Sequence, residues 1–524
     1  MSLAPPLIAD SLYYLRNFET ALRELECRDG DFLGAEERAF MGAFASLAES
    51  TRALLVRLMM RKSVLVRIEA LHYQEIGDLE LAAAPLLASG WIVVPRRLSL
   101  EEFVHFFSKA DLCEALKLPR VWLRRSKLRL LSALREHLDE EAVQRCTPLL
   151  GRVWQLAVKP VCDTIRALYF GNFHQEWREF VLAALQVRRF ERVDAGRPFQ
   201  SAEQVQAFKA LRECQLLIDE EAAAPQIEPA IPFNLSDCDW LEEALRDVIF
   251  KLARLYERQG DSGNALRLYS QCASDEARQR ERTLRAAALP RLARRNQPRF
   301  GSLPVVEIAV HGGLPRRGIE YRVRERLELD APESAIYFVE NSLICSLFGL
   351  LCWRTIFAPV RGAFFHRFHR GPADFHSPSF YARRQALFEE CLAELDSARY
   401  RRTIIDNFHG KRGLSSAFVH WRSLEERLID LALECIPAQH LLVWFRYILQ
   451  DVKNNSAGFP DLIQFWPARG TYRLLEVKGA RDRLQPNQQR CLEHLHMLGV
   501  PIVICRPRAA ALQASAARGA LARC

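Results

Sequence analysis

The chain has 524 residues, 49% of them hydrophobic, which suffices for several separate cores and three or four domains. Its formal charge of +9 is a modest cationic excess, compatible with a polyanionic partner without requiring one. Fourteen cysteines without a Cys-x-x-Cys pair argue for reduced core thiols over a disulfide framework or zinc ribbon; no apolar run is long enough to span a bilayer and no signal peptide opens the chain, so a soluble, cytoplasmic protein is expected.

In chain order, residues 1–100 read as a helical block closed by a short apolar strand at Trp91-Ile92-Val93-Val94-Pro95, the pattern of a winged-helix-like module. Its segment Leu54 to Lys62 is an amphipathic basic helix, suited either to touch a duplex or simply to pack and face solvent. Residues 101–200 carry a second basic block. Leu112 to Pro119 and Arg124 to Leu134 frame a helix, a basic turn and a helix, the pattern of a SAP-like DNA-binding unit. Arg120, Arg124, Arg125, Lys127 and Arg129 are its candidates for gripping phosphates, a contact that fixes register without reading sequence.

Residues 201–300 are helical. Leu252 to Tyr256, Gly260-Asp261, Ala265-Leu266 and Tyr269 match one tetratricopeptide-type helical hairpin, a possible surface for protein contacts or a scaffold shaping a DNA groove. Pro290 to Pro304, rich in arginine, is the expected linker into a C-terminal domain at 301–524. There, Glu340 stands in an apolar stretch, Phe338 to Leu351, expected to be helical; a carboxylate so placed needs a partner or a metal. His366, His369 and His376 lie close together beside Arg367 and Arg370 but lack the ligands to close a transition-metal site, and are expected to face DNA or solvent. Gly410-Lys411-Arg412-Gly413 is too short for a phosphate-binding loop, so no nucleotide cofactor is expected.

The densest chemistry follows. Gly458-Phe459-Pro460-Asp461-Leu462-Ile463 precedes Tyr472-Arg473-Leu474-Leu475-Glu476-Val477-Lys478-Gly479. Leu462 to Trp466 predicts one strand, Pro467 to Gly470 a turn, and Tyr472 to Val477 the returning strand. Alternation puts Glu476 and Lys478 on one face with Val477 pointing into the core, and Asp461 at the mouth of the first strand can meet Glu476 across the hairpin. Two such carboxylates make a hard oxygen site for Mg²⁺ or Mn²⁺, with the Val477 carbonyl available to complete it. Lys478 would orient or activate the attacking water. A helix from Leu484 and a buried strand from Val500 to Cys505 complete a hairpin, crossover helix and strand. Gln485 and Gln488, near the start of that helix, could hydrogen-bond the metal site or DNA, but are expected to be ordinary helix polar residues.

Asp461, Glu476, Val477 and Lys478 resemble the VRR-NUC branch of the PD-(D/E)XK nucleases. Val339 to Ile344, Ser346 to Trp353, Ile356 to Pro359, Gly362 to His366 and Ser416 to Trp421 are similar to the Fanconi-associated nuclease family, in its bacterial form. The resemblance implies a multidomain, mainly α protein with a C-terminal α/β restriction-endonuclease-like domain. It places a further metal-binding glutamate on Glu340 and implies one or two ions, 5′-flap endonuclease and 5′-to-3′ exonuclease action on branched DNA, and a role in interstrand crosslink repair. A four-way-junction resolvase and a DNA-binding scaffold with an inactive nuclease fold are the alternatives.

Overall fold

The computed structural model describes residues 10–96, 98–116, 127, 153–185, 188–233, 238–272, 274–287, 303–310, 318–479 and 482–509. The chain divides into two compact units, residues 1–188 with 199–209, and residues 189–198 with 210–524.

The first unit opens with helices α1 (Tyr13–Asp29), α2 (Ala35–Ser46) and α3 (Glu49–Met59). The helix α1 buries Tyr14, Leu15, Phe18, Leu22 and Leu25 at helical spacing. Phe18 meets Phe44 and Trp177 edge-on, with ring centroids 5.3 and 5.0 Å apart. Strands β1 (Leu65–Arg67), β2 (Ile92–Val93) and β3 (Val153–Leu156), with helix α4 (Leu79–Ala88) between the first two, form an antiparallel sheet ordered β1-β3-β2. Helices followed by a small sheet match the winged-helix-like expectation. Of the basic segment's cations, Arg57 and Arg61 are engaged by neighbouring side chains, while Lys62 is exposed. Arg57 Nε donates to Glu75 at 2.9 Å and the guanidinium lies 3.9 Å from the Tyr14 ring centroid, while Arg61 reaches the Tyr73 hydroxyl at 3.0 Å. Helices α5 (Leu100–Phe106) and α6 (Lys109–Ala115) both start with capping boxes, Ser99 with Glu102 and Ser108 with Asp111.

In the second unit, α7 (Asp239–Arg258) and α8 (Ser262–Gln271) form a helical hairpin. Gly260, at φ +86°, supplies its left-handed turn, and Asp261 caps the second helix through the Asn264 amide.

The nuclease-like core is a five-stranded sheet ordered β4-β8-β7-β6-β5, from β4 (Val305–Val310), β5 (Ala335–Phe338), β6 (Leu462–Trp466), β7 (Thr471–Val477) and β8 (Ile502–Ala509). The expected hairpin is present as β6 and β7, antiparallel with Leu462 opposite Leu475. β7 and β8 are parallel, as a crossover through helix α11 (Pro486–Met497) requires. One face of the sheet, with Ile336, Leu462, Leu475 and Val477, packs on Val323 and Leu327 of helix α9 (Ile319–Asp330). The other, with Ile463, Phe465, Leu474 and Ile504, joins a larger core containing helix α10 (Leu343–Leu351) and Leu492 and Leu495 of α11. Alternation along each strand thereby assigns one side to each layer.

Two positions fix these layers. Gly349 of α10 lies against the segment at Phe418, where an added Cβ would stand 2.7 Å from the Phe418 Cβ and 2.9 Å from the Val419 Cγ2. Gly458, at φ +93°, passes under the start of α11, where a Cβ would stand 3.2 Å from the Asn487 carbonyl and the Gln488 amide. Among the described residues no single helix is long and apolar enough to cross a membrane, and eleven of twelve described cysteines are buried. Gly349→Ala should lower the stability of the second unit by about 1–3 kcal/mol through overpacking, measured as a shift in the chemical-denaturation midpoint.

Candidate active site

The sheet register builds the site. Continuing the β6–β7 pairing of Leu462 with Leu475 by one step sets Asp461 opposite Glu476. Continuing the β5–β6 pairing of Phe338 with Leu462 sets Val339 opposite Asp461, and the Val339 amide donates to the Asp461 carbonyl at 2.9 Å. Asp461 therefore sits between Glu476 on one side and the residue before Glu340 on the other. Its carboxylate accepts from the Val477 amide at 2.8 Å, which aims it along the mouth of the hairpin.

Glu476 has no exposed surface. Its Oε1 accepts from the Lys478 ammonium at 2.6 Å and from the Gln488 side-chain amide at 2.7 Å. Its Oε2 is buried with no hydrogen-bond partner. Burial pushes the Glu476 carboxyl up to about 7, with the nearby Asp461 charge adding to the rise and Lys478 opposing it. Asp461 rises to about 6, again chiefly by burial, against the pull of the Val477 amide and Lys478; Glu340 and Glu320 push it further up. Acidic side chains held off water at one end of a sheet, with a single lysine among them, form a pocket of negative potential in want of a cation.

Glu340 requires a correction. It stands in an exposed turn before α10, not inside a helix. The chain leaves β5, turns at Asn341 with φ +51°, and enters α10 two residues later. The Asn341 side-chain carbonyl accepts from the Phe459 amide at 2.9 Å, tying this turn to the segment that delivers Asp461. Glu340 thus needs no buried partner, and its field acts on both Asp461 and Glu476.

Two residues add to the sequence-derived set. Gln488, expected to be an ordinary helix residue rather than to bond the metal site, is almost wholly buried. Its side-chain carbonyl accepts from the Gln485 amide at 3.1 Å in a capping box, while its amide nitrogen holds Glu476. One side chain therefore caps the start of the helix and orients the acid. Glu320, in the first turn of α9, acts on Asp461 from a remote part of the sequence; one acid among the four of a mixed-charge helix gives no local signal.

Other candidates fall elsewhere. Arg120, Arg124, Arg125 and Arg129 lie outside the described residues. The Lys127 ammonium donates to the carbonyls of His105 and Phe107, at 2.8 and 2.9 Å, at the end of α5. His366 and His369 are buried rather than facing DNA or solvent. Their rings stack 3.9 Å apart and accept from the amides of Phe368 and Phe365. His376 is exposed.

No three His, Cys, Asp or Glu side chains among the described residues stand in a closed metal cage. The donor set still fits a hard cation. Glu476 Oε2 is an oxygen already stripped of water and left unpaired, Asp461 lies opposite it, and an ion of the Mg²⁺ type keeps several waters rather than filling its shell with protein.

Comparison with known proteins agrees with this geometry. The VRR-NUC domain model matches residues 395–509, spanning Asp461 through Gln488 but beginning after Glu320 and Glu340. The model of the FAN1 HTH domain matches residues 12–93. A Fanconi-associated nuclease 1 homolog of Pseudomonas aeruginosa is 39% identical over 96% of this chain and 97% of its own. The chain belongs to the Fanconi-associated nuclease 1 family. An Arabidopsis thaliana homolog is 23% identical over 95% of this chain and 67% of its own. A crystal structure of paFAN1 bound to 2nt 5′flap DNA with gap aligns with TM-score 0.81 at 37% identity, covering 97% of this chain and 100% of that one. Membership makes the chain a nuclease, a hydrolase of phosphodiester bonds that binds DNA, serves DNA repair and depends on a divalent metal.

The raised Glu476 carboxyl carries a stability signature. Because its folded value of about 7 exceeds its ordinary 4.5, the folded state binds more protons between those values, so metal-free stability falls as pH rises through that window. Glu476→Gln should therefore unfold at a higher temperature than wild type in EDTA at pH 8. That advantage should shrink at pH 5, as thermal denaturation at the two pH values would reveal.

Proposed function

We infer that the chain is a structure-selective nuclease cutting 5′ flaps and branched DNA, with Mg²⁺ or Mn²⁺ held by Glu340, Asp461, Glu476 and the Val477 carbonyl. The observation that carries this reading is the buried Glu476 carboxylate, one oxygen fixed by Lys478 and Gln488 and the other unpaired. The choice of flap substrate is supported by the related protein's complexes with 2nt and 1nt 5′flap DNA with gap.

When bound, the ion would polarise the scissile phosphate and lower the pKa of a water ligand. The protein's own groups do the rest. Asp461, aimed by the Val477 amide, and Glu476 present their oxygens from neighbouring strands at positions set by the sheet register. Gln488 keeps Glu476 from rotating when cations exchange, because its own carbonyl is anchored in the helix cap. Lys478, largely buried, is paired with Glu476 inside this negative field. From there its ammonium orients the attacking water and offsets charge on the five-coordinate phosphorus. With Lys478 alone among these acids to offset charge, neutralising the scissile phosphate requires a divalent cation, so cleavage depends on the metal. The family also supports 5′-to-3′ exonuclease action in crosslink repair, in the compartment that holds the DNA, and the helical hairpin of α7 and α8 is a candidate surface for protein contacts.

The test compares wild type and Asp461→Asn on end-labelled 5′-flap, four-way-junction and linear duplexes with Mn²⁺ or Mg²⁺, against EDTA. Wild type should cut the flap fastest and only with metal, and Asp461→Asn should lose at least about 10²–10³ in rate while binding the flap with similar affinity. Preference for the four-way junction would favour a resolvase, and tight binding without cutting would favour a DNA-binding scaffold. Gln488→Ala should slow cutting by less than Asp461→Asn, since it loosens Glu476 without removing a ligand oxygen; single-turnover rates separate the two.

A further inference from the structure

Tyr321, in the first turn of α9, is 63% exposed. The preceding residue, Glu320, acts on Asp461. One side of the Tyr321 ring packs against Phe338, with centroids 4.5 Å apart and planes at 48°. Phe338 is the last residue of β5 and pairs with Leu462, the neighbour of Asp461. Phe338 is itself steadied by the Arg324 guanidinium, 5.4 Å from its ring centroid. The ring of Tyr321 is thus anchored against Phe338 and exposed to solvent, on the helix that carries Glu320 and beside the strand pair that leads to Asp461.

An aromatic face held in water beside a phosphodiester-cleaving centre is chemically suited to one ligand class. Every nucleobase has a π-face, and stacking on an anchored aromatic ring is tolerant of sequence, as an enzyme selecting by branch structure requires. The neighbouring acids cannot hold a nucleotide by its phosphates without a cation, so a contact to the base supplies binding that does not depend on charge. We propose that Tyr321 is a stacking platform for the base of a nucleotide adjoining the scissile phosphate, positioning the strand for cleavage. This rests on the assignment of the Asp461–Glu476 end of the sheet as the cleavage centre. The competing role is structural, with Tyr321 acting only as a cover for Phe338.

The experiment uses the full chain and 5′-flap DNA carrying 2-aminopurine at successive positions across the flap junction. Fluorescence and affinity are read in EDTA, where no cutting occurs. For wild type, one position should be quenched relative to its neighbours. Tyr321→Ala should abolish that quenching and weaken flap binding by about tenfold, within the range of single base–aromatic stacks, whereas Tyr321→Phe and Tyr321→Trp should retain both. If Tyr321→Ala keeps the quenching and affinity but lowers the thermal midpoint, and Tyr321→Leu restores that midpoint, the ring is a cover and the proposal is overturned. A parallel assay with Mn²⁺ separates the two claims. If wild type and Asp461→Asn cut equally, the assignment of the centre falls and this inference with it. If Asp461→Asn alone is inactive while Tyr321→Ala matches wild type in quenching and affinity, only the stacking role falls.

Discussion

The burial of Glu476 is the constraint on which the rest of the site depends. A carboxylate with no exposed surface loses its hydration and must recover it from fixed partners or be protonated. Here the recovery is partial. Lys478 and Gln488 share one oxygen, the other has none, and the carboxyl rises to about 7. A fold would not gain stability from such an arrangement. It makes sense as an arrangement completed by a cation, whose binding energy offsets the desolvation that folding incurs.

The surrounding structure holds that oxygen in place by means that reach far along the chain. Sheet register sets Asp461 between Val339 and Glu476. The Asn341 turn ties the Glu340 segment to Phe459, and close passage of Gly458 under the start of α11 brings Gln488 within reach of Glu476. Four stretches of sequence, near Glu320, Glu340, Asp461 and Glu476, converge on one end of the sheet because β5, β6 and β7 are neighbours there.

What could be read from sequence follows the range of the interactions. The hairpin, its turn and the crossover helix were legible because alternation, a Pro-to-Gly turn and helical spacing are local signals. Asp461, Glu476 and Lys478 came with them, since strand alternation alone brings them together. Glu340 was legible as an acid of interest, but its setting was not: the apolar residues of α10 begin so soon after it that the helix seemed to include it, and only the left-handed Asn341 shows where the turn lies. Gln488 is legible as a possible partner of the site, but a polar residue opening a helix also has a sufficient local explanation, and its bond to Glu476 exists only in the folded chain. Arg57 illustrates the same limit, since a cation on an amphipathic helix gives no hint that Glu75 and Tyr14 will enclose it.

The central claim is that the unpaired Glu476 oxygen is a metal ligand, and direct Mn²⁺ binding tests it. Free Mn²⁺ would be measured by electron paramagnetic resonance during titration of wild type and Glu476→Gln at pH 8 without DNA. The account predicts saturable binding by wild type and at least about tenfold weaker binding by the variant, the loss typical of a disturbed metal site. Equal binding by both proteins would contradict it.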